Sequence, residues 1–144
     1  MPGEFLDTNV LVYAHDVDAG RKHTEARDLV LRLIDEGTGL ISVQVLQEFF
    51  VAVTKKIPSP LDADTAEEII EDLGAMGVFS PQQQDVVAAI HLVKRHRISF
   101  WDAMIIRAAV AQDASIVWSE DLASGQTYAG VTVRNPFVRP DQIA

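Results

Sequence analysis

Five short apolar runs set the architecture: Phe5-Leu6, Leu40-Ile41, Val78-Phe79, Ser115-Ile116-Val117-Trp118 and Val131-Thr132-Val133. Most are separated by stretches long enough for one or two helices. Runs of this length suit strands, and strands joined through helices return in the same direction rather than as hairpins. The alternation therefore predicts an α/β chain with a parallel sheet of about five strands and helices on both faces.

Apolar periodicity predicts helices over residues 10–14, 21–36, 43–55, from 61 or 62 to about 73, 82–97 and 100–111. On the second helix Ala26, Leu29, Val30, Leu33 and Ile34 share the face expected to be buried. Gly37 ends that helix, Ser42 and Ser99 are placed to cap the third and the last, and Pro81 falls in a first turn. The last helix is apolar almost all round, which places it in the interior. Phe100 and Trp101 at its start read as core, with stacking on an unpaired base as the alternative.

A chain of 144 residues suffices for one domain with a sizeable core and is short for two, so residues 1–144 are read as a single domain. The absence of cysteine excludes a disulfide framework, a thiolate zinc site and a cysteine nucleophile. No apolar run reaches transmembrane length and the N-terminus lacks a basic segment followed by an apolar one. The expectation is a cytoplasmic protein without a membrane partner. The net charge of −9 argues against broad attraction to nucleic acid or anionic membrane, but leaves room for a local acidic metal site. Asp62, Asp64, Glu67, Glu68, Glu71 and Asp72 form a block that reads first as a solvated helix face.

In open parallel sheets the ligand crevice lies beyond the carboxyl ends of the strands, where strand order reverses. Asp7 directly follows the first run and Asp121 follows the fourth. If those two strands flank the reversal, both carboxylates enter one crevice. Asp7 and Asn9 also read as helix caps, and Asp102 as the acid of a capping box opened by Ser99. Glu48, beside Phe49 and the apolar stripe of its helix, reads as a surface acid or a sheltered one. Asp121 reads as a turn acid, Glu120 competes with it for any role, and Ser119 orients a carboxylate or closes a turn.

The order of these acids, and the phrases Phe5-Leu6-Asp7-Thr8-Asn9, Phe100-Trp101-Asp102-Ala103 and Trp118-Ser119-Glu120-Asp121-Leu122, resemble the PIN domain family and its VapC-type toxins. Asn135-Pro136-Phe137 is similar to the family's closing segment, so the resemblance spans nearly the whole chain. It implies a PIN-like, Rossmann-like fold and a divalent-metal-dependent endoribonuclease, the toxin of a toxin–antitoxin pair. The acidic quartet of the family falls on Asp7, Glu48, Asp102 and Asp121, as both catalytic residues and metal ligands, with Asn9 and Ser119 supporting. An RNA substrate, a cognate antitoxin and a homodimer are further implications. A processing nuclease that is not a toxin, or a catalytically silent PIN-fold binding module, are the alternatives.

The chemistry is consistent with that resemblance. Mg²⁺, or Mn²⁺ in its place, prefers oxygen ligands and takes few carboxylates. An ion held by four acids would activate water for attack at a phosphodiester. His15, His23, His91 and His96 show no zinc-ligand spacing. Lys94, Arg95 and Arg97 form a compact basic patch suited to RNA phosphates or to a solvated helix end. An aspartyl-phosphate hydrolase would want an acid at position 9, where Asn stands.

Overall fold

The five apolar runs become strands of one sheet in the computed structural model, which describes residues 2–138. The elements in chain order are β1 (Glu4–Leu6), α1 (Thr8–His15), α2 (Arg21–Glu36), β2 (Gly39–Ser42), α3 (Val43–Lys55) and α4 (Ala63–Leu73). They continue with β3 (Gly77–Phe79), α5 (Gln83–His96), α6 (Phe100–Ala111), β4 (Ile116–Trp118), β5 (Thr127–Tyr128) and β6 (Val131–Arg134). The sheet order is β3-β2-β1-β4-β6-β5. All neighbours are parallel except β5 and β6. The sheet thus has six strands rather than five. The extra one is two residues long and makes a hairpin whose turn, Ala129 (φ 50°) and Gly130 (φ 89°), has positive φ at both positions.

The chain lays down β1, β2 and β3 in one direction, then returns through α5 and α6 to place β4 on the other side of β1. Right-handed crossovers in opposite directions put their helices on opposite faces of the sheet. Accordingly α2 and α3 pack on β2, whereas α6 touches β2, β4 and β6. The strand order reverses between β1 and β4, whose register pairs Phe5 with Val117 and Leu6 with Trp118.

Strand residues Phe5, Leu6, Ile41, Val117 and Val133 are fully buried, each stabilising the fold by about 1.5–3 kcal/mol relative to exposure. Helix α6 buries Ala103, Met104, Ile105, Ile106, Ala108 and Ala109, as its composition predicts. Two expectations from the pattern fail. Ile34 is 50% exposed, because it lies about 100° beyond Leu33, at the margin of the stripe Ala26, Leu29, Val30, Leu33. Trp101 is 62% exposed rather than core.

Helix ends are set by side chains. Ser42 Oγ accepts from Val45 N–H (3.3 Å), Asp62 from Thr65 N–H (2.7 Å) and Ser99 Oγ from Asp102 N–H (3.1 Å). Pro81 lies outside α5, whose cap is Gln82. The Gln82 N–H donates to Asp85 Oδ2 at 2.8 Å, and Arg107 Nε of α6 donates to Asp85 Oδ1 at 2.8 Å. Those bonds, the Gln82 one foremost, hold the buried Asp85 carboxyl below its usual range and tie α5 to α6. Among the described residues no helix is long and apolar enough to cross a membrane.

Candidate active site

Asp7 sits at the reversal of strand order. Its N–H still extends the sheet ladder, donating to Trp118 C=O of β4 at 3.0 Å, while its side chain caps α1. One carboxylate oxygen, Oδ1, accepts from Thr8 N–H at 2.7 Å and the other, Oδ2, accepts from Ser119 Oγ at 2.8 Å. The residue is 6% exposed. Burial raises its pKa to about 6; the Ser119 and Thr8 hydrogen bonds oppose that shift, and the charges of Glu48 and Asp121 add to it.

Ser119 is the hub of this end of the sheet. It is fully buried, and while donating to Asp7 its Oγ accepts from the N–H groups of Asp121 and Leu122 at 3.2 Å each. It therefore orients a carboxylate and closes its own turn. Asn9 lies inside α1 and is not a cap. Its Nδ2 donates to Asp121 Oδ2 at 3.1 Å and approaches Asp7 Oδ2 and Ser119 Oγ at 3.4 Å. Its Oδ1 accepts from Glu120 N–H at 3.1 Å. One amide thus clamps the segment after β4 to the first turn of α1.

The other acids arrive on helices. Glu48 is exposed on α3, and its Oε1 accepts from Thr8 Oγ1 at 2.7 Å. Asp102 is half-buried in the first turn of α6; its N–H takes the Ser99 cap, and its carboxylate makes no hydrogen bond among the described residues. Asp102 is therefore a capped position whose acid group is not consumed by the cap. Asp7, Glu48, Asp102 and Asp121 all line one cavity of about 720 Å³.

Glu120 lines the same cavity but is differently held. Its Oε1 accepts from Tyr13 OH at 2.8 Å, and its other oxygen pairs with the Lys22 ammonium. Lys22 in turn lies 5.1 Å from the Tyr13 ring centroid and 5.6 Å from that of Phe137. The hydrogen bond to Glu120 raises the pKa of both Tyr13 and Lys22. Asn9 engages Asp121 and leaves Glu120 to this second network.

The donors fit a hard divalent cation: four carboxylates, one of them buried and pushed toward protonation by two others. Among the described residues no three His, Asp or Glu side chains are gathered tightly enough to enclose an ion as they lie. Two histidines are accounted for otherwise, His15 bonding to Leu11 C=O and His23 to Tyr13 C=O, each at 2.9 Å.

Three polar lining residues are not singled out by sequence, Gln44, Gln47 and Tyr13, and Trp101 joins them from a position read first as core. The signal for the first two is helical spacing, since Gln44, Gln47, Glu48, Val51 and Ala52 recur at three- and four-residue intervals on α3. Lys94, Arg95 and Arg97 are exposed at the end of α5 and do not line the cavity.

Comparison with known proteins places this arrangement. The chain is similar to a toxin–antitoxin complex from Klebsiella pneumoniae, at 18% identity and TM-score 0.67, over 94% of this chain and 98% of the other. It is similar to VapC20 of Mycobacterium tuberculosis, a toxin that cleaves the sarcin–ricin loop, at 16% identity and TM-score 0.63, covering 83% and 90%. DNA-bound VapBC from Salmonella typhimurium gives 16% identity and TM-score 0.65, covering 94% and 99%. At such identities the likeness establishes the fold. No curated protein matches by sequence. The family model of the PIN domain matches residues 5–126, which include all four acids, Asn9 and Ser119. This chain belongs to the PIN domain family.

Proposed function

We propose that the protein is a divalent-metal-dependent endoribonuclease, the toxin of a toxin–antitoxin pair, acting on RNA in the cytoplasm. The observation that carries this reading is the convergence of Asp7, Glu48, Asp102 and Asp121 on one cavity at the reversal of strand order. The names of the similar structures, toxins and toxin–antitoxin complexes, support the biological role. The toxin–antitoxin complexes among the similar structures support a cognate antitoxin; in this proposal it blocks the site with a basic side chain, and the protein is a homodimer.

In this reading Asp7, Asp102 and Asp121 are the principal ligands of Mg²⁺ or Mn²⁺, and Glu48 holds a second ion or positions water. When bound, such an ion supplies charge for the phosphate oxygens and lowers the pKa of the attacking water. The chain's own part is orientation. Ser119 and Thr8 N–H fix the two oxygens of Asp7, Asn9 aims Asp121, and Thr8 Oγ1 draws Glu48 toward the same mouth. The Glu120 carboxylate is paired with Lys22, while the Glu120 backbone N–H donates to Asn9 Oδ1.

The test is a cleavage assay on total RNA with Mg²⁺, with Mn²⁺ and with chelator, mapping the cut ends. Metal-dependent cuts are expected, and Asp121→Asn should abolish far more of the rate than Glu120→Gln. The reverse ranking would assign the role to Glu120, metal-independent cleavage would overturn the metal mechanism, and absent cleavage would leave a silent binding module. Growth inhibition on expression without a partner, relieved by Asp7→Asn, separates a toxin from a processing nuclease.

The exposed patch Lys94, Arg95 and Arg97 extends the RNA path beyond the cavity in this proposal. Neutralising all three is expected to weaken binding and flatten its salt dependence, each lost phosphate contact reducing the log–log slope by roughly 0.7. An unchanged slope in the triple variant would return the patch to a solvated helix end.

A further inference from the structure

Trp101 is out of keeping with its helix. The residues that follow it in α6 are mostly buried, yet the indole is 62% exposed and lines the acidic cavity. Its setting is fixed rather than loose. Gln44 Nε2 of α3 donates to Trp101 C=O at 3.2 Å, and the Phe100 ring packs edge-on against the indole, with centroids 5.1 Å apart and planes at 74°. The next residue in the chain is Asp102, so the ring stands one position from a carboxylate of the proposed metal site.

Charge limits how such a cavity can hold RNA. The chain carries −9 overall, five acids line the cavity, and Lys56 is the one Lys or Arg lining it among the described residues. The chain's own side chains therefore attract phosphate weakly here, a bound ion would engage only the phosphate being cut, and the neighbouring base needs a grip that does not depend on charge. An aromatic face provides one, since every base has a π-face and stacking tolerates any sequence. Val51, 43% exposed, and Ile57 extend the apolar lining.

We propose that Trp101 is the stacking platform for an unpaired base beside the scissile phosphate, which makes the substrate an RNA with at least one unstacked nucleotide at the cut. This deepens the nuclease reading above and rests on it. The geometry favours RNA over a protein partner because the ring shares its cavity with the carboxylates rather than lying on a separate apolar face.

The experiment uses single-stranded RNA oligonucleotides that contain one cut site, and the same oligonucleotides with a single abasic residue walked across it. Wild type, Trp101→Phe and Trp101→Ala are compared by cleavage with Mn²⁺ and by fluorescence anisotropy in chelator. Trp101→Ala is expected to raise KM and Kd by about 5- to 100-fold, with a smaller effect on kcat, and Trp101→Phe to restore most of the loss. One abasic position should impair wild type comparably and add nothing further in Trp101→Ala. Independent effects at every position would overturn the proposal. So would unchanged RNA kinetics accompanied by weakened antitoxin binding or self-association, which would make the ring a protein contact. If wild type binds RNA without cutting it and the same coupling appears, the nuclease reading fails while the platform stands. If wild type neither binds nor cuts, both fall.

Discussion

Asp7→Asn is expected to lower metal-dependent RNA cleavage on the order of a hundredfold or more while leaving the fold intact. The substitution keeps the shape of the side chain and an oxygen able to accept the Thr8 N–H, so α1 retains its cap. What it removes is the one buried charge among the five cavity-lining acids. In chelator near neutral pH the variant should melt above wild type, because the carboxylate it replaces is desolvated and repelled by Glu48 and Asp121. Addition of Mn²⁺ should raise the melting temperature of wild type more than that of the variant. A folded Asp7→Asn protein that cuts RNA at near-normal rates would sink the metal-site assignment. A variant that melts lower than wild type in chelator would reduce Asp7 to a helix cap.

The second large effect is on stability against pH. The folded-state pKa of Asp7 is raised from 3.8 to about 6. Below about pH 4 the group is protonated in both states and contributes nothing. Between about pH 4 and pH 6 the unfolded chain releases the proton and the folded chain keeps it, so stability falls as pH rises through that window. The loss is complete above the folded value and amounts to about 3 kcal/mol in the absence of metal. Asp85 and Glu4 have lowered values and act with the opposite sign, their contribution being lost as acid protonates them. The difference between wild type and Asp7→Asn isolates the Asp7 part. Urea unfolding of both proteins in chelator should show that difference growing by about 3 kcal/mol from pH 4 to pH 7 in favour of the variant. A difference that does not change with pH would mean that Asp7 titrates as an ordinary surface acid.

The strands that the apolar runs mark were legible because each is short, buried and bounded by helix signals. The helices 21–36, 43–55 and 100–111 were legible to the residue because Gly37, Ser42 and Ser99 mark their ends. Strand β5 was not, since two residues carry no alternation, and Ala129-Gly130 is a weak turn signal beside Asn-Gly or Asp-Gly. Within the site, the entry of Asp7 into the cavity was legible from position alone, because a residue directly after a parallel strand points into the crevice. What distinguishes Glu120 from Asp121 was not legible, since the Glu120 carboxylate is held by Lys22 and Tyr13, about a hundred residues away in sequence. For Trp101 the pattern leaves core and base stacking both open, because a helix apolar all round does not show that its first turn overhangs a cavity.

The two outermost strands of the sheet, β3 at one margin and β5 at the other, are three and two residues long. A sheet is normally most vulnerable to unwanted polymerisation at such margins, where unpaired N–H and C=O groups invite another chain to continue the ladder. Here an incoming strand would find two or three residues of ladder to bond, too little to hold register. Edge-to-edge stacking into fibres is thereby discouraged by geometry, independent of charge. The same shortness bears on assembly: a second copy or an inhibitor gains little from adding a strand to this backbone, so recognition falls to side chains, where it is specific to sequence.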